Sequence, residues 1–157
     1  MRQPFSLNGP LPAAMPKGAG SEQDCVFCNI GAHRAPAYLV FEDATTLAFL
    51  DLFPFTRGHL LVVPKRHGAR LTDLPLEDQT ALIHALDQVV RRMQRLTPDY
   101  NVALNAGRSA GQIVFHVHFH IIPRYGEANP FRATSRVPLA EPDARALVDE
   151  LSRPDRP

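Results

Sequence analysis

The sequence predicts an α+β domain, with an antiparallel sheet of about five strands packed on one long helix. Three observations carry this. Residues 116–123 read His-Val-His-Phe-His-Ile-Ile-Pro, a period of two that marks a half-buried strand. Gly58 to Val63 alternates in the same way, with His59, Leu61 and Val63 on one face and Leu60 and Val62 on the other. Between about Pro75 and Leu96 the period changes to that of a helix. No helical pattern separates the other strands as a parallel βαβ fold requires.

In chain order, residues 1–22 are rich in Pro, Gly and Ala without an apolar period, and read as a mobile tail. Tyr38 to Phe41 and Thr46 to Leu50 are β-prone runs around a turn-like Glu42-Asp43, which predicts a hairpin. Pro64 ends the next strand because it lacks a donor. In the long helix Leu82, Leu86, Val89, Val90, Met93 and Leu96 form one stripe. Pro75 suits its first turn, and Glu77 and Asp78 near the start with Arg91, Arg92 and Arg95 near the end complement its dipole. His84 falls beside the stripe and reads as a surface residue; His33 reads as exposed and unpartnered. Tyr100 to Asn105 is a further strand, then a loop with Gly107 and Gly111, then the histidine strand. A short helix is expected over 143–151.

A chain of 157 residues, 45% hydrophobic and 21% charged, describes one soluble domain. The net charge of +1 gives no general affinity for nucleic acid or anionic membrane, and no apolar run is long enough to span a bilayer. Pro4, Pro10, Pro12 and Pro16 break any signal-peptide core, and two cysteines make no secreted disulfide framework. The expected compartment is the cytoplasm.

His116, His118 and His120 share one strand face, with Val117, Phe119 and Ile121 on the other. Three imidazoles so spaced can converge on one phosphate-sized group. A metal site is the alternative, but no carboxylate lies in the run and no His-Glu-x-x-His helix occurs. Imidazole is largely neutral near pH 7 and so serves as nucleophile or acid–base. The pair Cys25 and Cys28 alone is compatible with zinc, a redox couple or no function.

The His-x-His-x-His run followed by Ile121-Ile122 resembles the defining motif of the histidine triad (HIT) superfamily. Cys25–Ile30, Leu47–Asp51, Gly58–His67 and Asn105–Pro123 are similar to that family in the same order, covering roughly residues 24–126. The resemblance implies a HIT-like fold, a homodimer, and a nucleotide hydrolase or transferase acting at the α-phosphate through a covalent nucleotidyl-His118. It also implies that His120 contacts the phosphate and helps protonate the leaving group, and that His59 binds the phosphate oxygens. Asn105 and Gln112 match amide positions near the phosphate, and Asp51 matches a ribose acceptor. Phe27, Ile30, Phe49 and Leu52 match an apolar base pocket, although such residues are otherwise plain core. For bacterial-type members that keep the cysteine pair, the resemblance implies a structural zinc on Cys25, Cys28, His67 and His116.

One departure bears on substrate. Ile113 stands where the phosphoramidase branch commonly has serine, which shifts the expectation from phosphoramidates towards dinucleoside polyphosphates. The expected partner is thus a purine nucleotide or a dinucleoside polyphosphate, and a diadenosine polyphosphate hydrolase or phosphorylase is the rival activity. From another class, the rival is a nucleotide-binding, zinc-stabilised interaction protein with little catalysis. The expected organisation is a tail over 1–22, a HIT domain over 23–126 and an extension with a short helix over 127–157.

Overall fold

The computed structural model describes residues 22, 24–126, 129, 131 and 136–153. The expected N-terminal tail, up to residue 21, lies outside the described residues. Helix α1 (Val26–Gly31) precedes a hairpin of β1 (Leu39–Glu42) and β2 (Thr46–Leu50), then β3 (Leu60–Pro64). The long helix α2 (Leu76–Met93), strands β4 (Tyr100–Leu104) and β5 (Phe119–Pro123), and helix α3 (Glu141–Leu151) complete the order. The sheet runs β1-β2-β3-β5-β4 with every neighbouring pair antiparallel, as the sequence predicted.

The hairpin turn is held by Asp43, whose Oδ1 accepts from the Thr45 and Thr46 amides at 2.8 and 2.7 Å. Strands β2 and β3 are buried along their whole length, because both sheet faces are covered. On one face Ala48, Leu50, Leu60, Val62, Phe119 and Ile121 pack against the α2 stripe. On the other, Leu47, Phe49, Leu61 and Val63 pack beneath α1 through Phe27, Cys28 and Ile30.

Two expectations about α2 are adjusted. It ends at Met93, and Pro75 sits at the N-cap rather than inside the first turn. Ala85 joins Leu82, Val89, Val90 and Met93 in the buried stripe, while Leu86 and Leu96 are half-buried. A residue as small as alanine marks where the helix approaches the sheet most closely. His84 is exposed, as expected, but His33 is not unpartnered: its Nε2 lies 3.0 Å from Glu42 Oε1.

The histidine strand is shorter than predicted. Regular pairing begins at Phe119, opposite Val62, so His116 and His118 lie on irregular chain before β5. Continued, the register would set His118 against Val63 and then Val117 against Pro64, which has no N–H to offer. Val117 instead donates to the Gly68 carbonyl at 2.7 Å. The alternation of faces survives: Val117, Phe119 and Ile121 enter the main core, and the histidines turn to the α1 side.

Helix α3 runs over Glu141–Leu151 and adds Ala144, Leu147 and Leu151, all fully buried, to the main core. Among the described residues, no helix is long and apolar enough to cross a membrane. Because Leu147 is sealed against β1 and the α2 side, Leu147→Ala is expected to cost about 2–5 kcal/mol by denaturant unfolding, as a core leucine does. A loss near zero would show α3 to be dispensable packing.

Candidate active site

Two clusters of chemistry-bearing side chains form on the α1 side of the sheet. The first begins at α1, where Cys25 is the N-cap and Cys28 lies three residues on, so one helical turn presents both sulfurs together. The chain leaving β3 carries His67 to the same place, and the segment before β5 carries His116. Cys28 Sγ lies 3.3 Å from His67 Nδ1 and 3.4 Å from His116 Nδ1; Cys25 Sγ is 3.4 Å from His116 Nδ1. The four ligand atoms all lie within 4.8 Å of one another. Zinc–sulfur and zinc–nitrogen bonds of about 2.3 and 2.0–2.1 Å span a tetrahedron with edges close to these separations. His116 Nε2 donates to the Pro64 carbonyl at 2.8 Å, which leaves the Nδ1 lone pair facing the sulfurs. Burial, with the neighbouring Cys25, pushes the Cys28 thiol up to about 12. That argues against a redox pair, whose attacking thiol needs a low pKa.

The second cluster holds the other histidines. His118 Nδ1 donates to the His116 carbonyl at 2.7 Å, so its Nε2 is the unprotonated nitrogen. Its ring meets Phe27 edge-on at 5.2 Å and His120 at 4.9 Å between centroids. Burial lowers the His118 pKa, against the carbonyl hydrogen bond and the Asp51 charge that raise it. The ring belongs to neither of the candidate metal clusters found among the described residues.

His59 sits just before β3 and is almost wholly enclosed. The Phe55 amide donates to its Nδ1 at 3.1 Å, so the proton is on Nε2, which donates to His120 Nδ1 at 3.0 Å. His120 therefore carries its own proton on Nε2. Burial drives both imidazoles down to about 3, with the nearby Arg136 charge adding to the effect. The 3.5 Å approach of Asp51 Oδ2 to His59 Nδ1 is consequently no ion pair, since the ring is neutral and that nitrogen already accepts. Asp51 Oδ1 accepts from the Phe53 amide at 2.8 Å, which fixes the carboxylate at the end of β2.

The loop after β4 turns at Gly107 and Gly111, whose φ values of 95° and 84° favour residues without a side chain. Gln112 braces it: its Oε1 accepts from the Gly107 amide at 2.8 Å and its Nε2 donates to the Ala69 carbonyl at 2.7 Å. Both ends of that amide are thus occupied by backbone. Asn105 leaves β4 beside Gly111. Of the expected base-pocket residues, Phe27, Ile30 and Phe49 come together in the α1-side cluster, whereas Leu52 packs with the main core.

Two residues near the histidines were not singled out from the sequence. Phe55 both orients His59 through its amide and stacks on that ring at 5.5 Å. Arg136 lies over the Phe55 ring at 3.8 Å. Neither carries a sequence signal: Phe55 follows a proline in an aperiodic link, and Arg136 stands in an irregular stretch.

A model of the HIT domain matches residues 32–127. A HIT-like protein of Methanocaldococcus jannaschii is 45% identical over 121 residues, covering 74% of this chain and 94% of that protein. An adenosine 5′-monophosphoramidase of Candida albicans is 40% identical over 147 residues, 86% of this chain and 96% of its own. Among solved structures, a zinc-bound histidine triad family protein from Mycobacterium smegmatis aligns with a TM-score of 0.71 at 37% identity, over 84% of this chain and 96% of that one. The matched block carries His59, His67 and the whole 116–120 run, and relatives matched over nearly their full length agree with it, so the chain belongs to the HIT domain family.

Proposed function

We propose that this protein is a nucleotide hydrolase or transferase acting at the α-phosphate, through a covalent nucleotidyl intermediate on His118. One observation carries the reading: His118 is tied by Nδ1 to the His116 carbonyl, leaving a neutral Nε2 lone pair for attack. A second support is that relatives at 40%, 36% and 41% identity are named adenosine 5′-monophosphoramidases.

In the first step His118 Nε2 attacks the α-phosphorus in line, forming a P–N bond as the bond to the leaving group breaks. His120 presents Nε2–H to a phosphate oxygen, and His59 holds it in that tautomer through Nε2–H. A bound phosphate anion raises the proton affinity of His120, and the Asp51 charge works the same way. A proton taken up with the phosphate binds His120 Nδ1 in place of the His59 hydrogen bond. The cationic His120 then passes its Nε2 proton to the leaving group, returning to a neutral ring. Water then attacks the phosphorus and breaks the P–N bond while His120 Nε2 takes its proton, releasing the nucleoside monophosphate and restoring neutral His118. Asp51 is the proposed ribose acceptor, Phe27, Ile30, Phe49 and Leu52 the base-facing residues, and Asn105 and Gln112 the amides of the phosphate loop.

The substrate is a purine nucleotide or dinucleoside polyphosphate. Ile113, 58% exposed, offers no hydroxyl, which favours the diadenosine polyphosphate hydrolase or phosphorylase as second reading. We assign the catalytic unit to residues 23–126 and place the protein in the cytoplasm.

Cys25, Cys28, His67 and His116 would hold zinc, the metal named for the Mycobacterium smegmatis relative. With four protein donors such a site would be structural, tying α1 to the segment before β5. A homodimer is the proposed assembly. Its support is the outer edge of the sheet, where β4 exposes Tyr100 and Val102 at 37% and 42%.

His118→Ala is expected to lower turnover of an adenylyl substrate by roughly 10⁴-fold or more while nucleotide affinity persists. Turnover at the parent rate would remove the nucleophile. Running the parent reaction with and without inorganic phosphate separates the rivals, because only phosphorolysis yields a nucleoside diphosphate from added phosphate. Zinc is expected at one ion per chain in purified protein and to be lost, with a lowered Tm, in Cys25→Ser; parent protein free of metal would sink that site. For the assembly, light scattering should report a dimer that Val102→Asp converts to monomer, and a monomeric parent would refute it.

A further inference from the structure

Residues beyond the block matched to the HIT domain return to the catalytic histidines. The Leu139 amide donates to the Leu52 carbonyl at 2.8 Å, and the Phe131 ring meets Phe55 edge-on at 5.4 Å. Between them Arg136 places its guanidinium 3.8 Å over the Phe55 ring and donates from Nη1 to the Phe53 carbonyl at 3.1 Å. Phe55 is the residue whose amide and ring seat His59, and His59 in turn holds His120. Arg136 is thereby fixed on the 53–55 link, beside the two imidazoles on the side away from the metal cluster. Its charge reaches both rings, and no carboxylate pairs with it among the described residues.

A permanent cation so placed has two consequences. It disfavours a divalent ion on Asp51, His59 and His120, although their ligand atoms are close enough to hold one. It also supplies positive potential that neutral, deeply buried imidazoles cannot. The proton transfer proposed for His120 puts the leaving group on the His120 side, where this charge is felt. We propose that Arg136 is a specificity-determining residue that favours anionic, phosphate-bearing leaving groups over neutral amines. The inference rests on the α-phosphate reading above and adds the residue that would select polyphosphate substrates within it.

The test compares equilibrium affinity for adenosine triphosphate and adenosine monophosphate by calorimetry, in the parent, Arg136→Gln and Arg136→Lys. Arg136→Gln is expected to weaken triphosphate binding about tenfold and monophosphate binding less than twofold, with Arg136→Lys close to the parent. The same ratio should appear in kcat/KM for diadenosine tetraphosphate against adenosine 5′-phosphoramidate. Equal losses for both ligands would mean that Arg136 merely props up Phe55, and no loss would mean that it does not meet the substrate; either overturns the proposal. A parent that binds these ligands with the expected discrimination but turns none over would instead fault the nucleotidyl-His118 reading and leave the specificity assignment standing.

Discussion

The carbonyl of His116 governs the chemistry of the ring two residues on. By accepting from His118 Nδ1 at 2.7 Å it selects one tautomer and leaves Nε2 bare. The same residue uses its own ring in two further directions, Nε2 to the Pro64 carbonyl and Nδ1 to the two sulfurs. One residue therefore joins the end of β3, the turn of α1 and the candidate nucleophile. Displacing it would remove a hydrogen bond from buried polar groups at each of these points, and water could replace few of them. In this arrangement the four-residue candidate metal cluster fixes the candidate nucleophile through backbone geometry.

The scaffold makes that precision available by burying β2 and β3 on both faces. Main-core residues Ala48, Leu50, Leu60 and Val62 lock the sheet onto α2, so the residues facing the other way inherit a fixed height and spacing. Phe27 then closes over the site from α1, meeting Phe49, His116 and His118 edge-on. A short helix of six residues has little intrinsic stability, and here its packing and its sulfurs hold it in place.

Most of this architecture was legible because it rests on periods. The β-prone run at 46–50, the alternation at 58–63 and the stripe from Leu82 to Met93 each report a buried element, and the sheet and α2 follow from them. The start of β5 was misread because alternation records which way side chains point, not whether the backbone is paired. The histidines keep alternating through 116–118 although Pro64 stops the ladder. In the site, the four candidate metal-binding residues and the other histidines were findable by residue type and resemblance. The roles of Phe55 and Gln112 were not, because both act through backbone hydrogen bonds that leave no trace in composition. Leu52, equally apolar, packs with the other core because it lies past the end of β2, where the run's alternation no longer sets its direction.

Burial creates an electrostatic problem that the rest of the molecule has to answer. Enclosing His59 and His120 drives their pKa values to about 3, so near neutral pH neither carries the positive charge that a phosphate would attract. Attraction must then come from a group that keeps its charge, as the exposed Arg136 beside Phe55 does. Neutral rings nevertheless have an advantage in this position. Each has one bare nitrogen and one N–H, so the chain Phe55 to His59 to His120 has a single direction of donation ending in an N–H that points onward. A protonated His59 would put a second proton against the Phe55 amide and break that direction. Keeping the rings uncharged until an anion arrives is thus what lets a row of identical side chains take different parts: one with a free lone pair, one with a free proton, and one that sets the order between them.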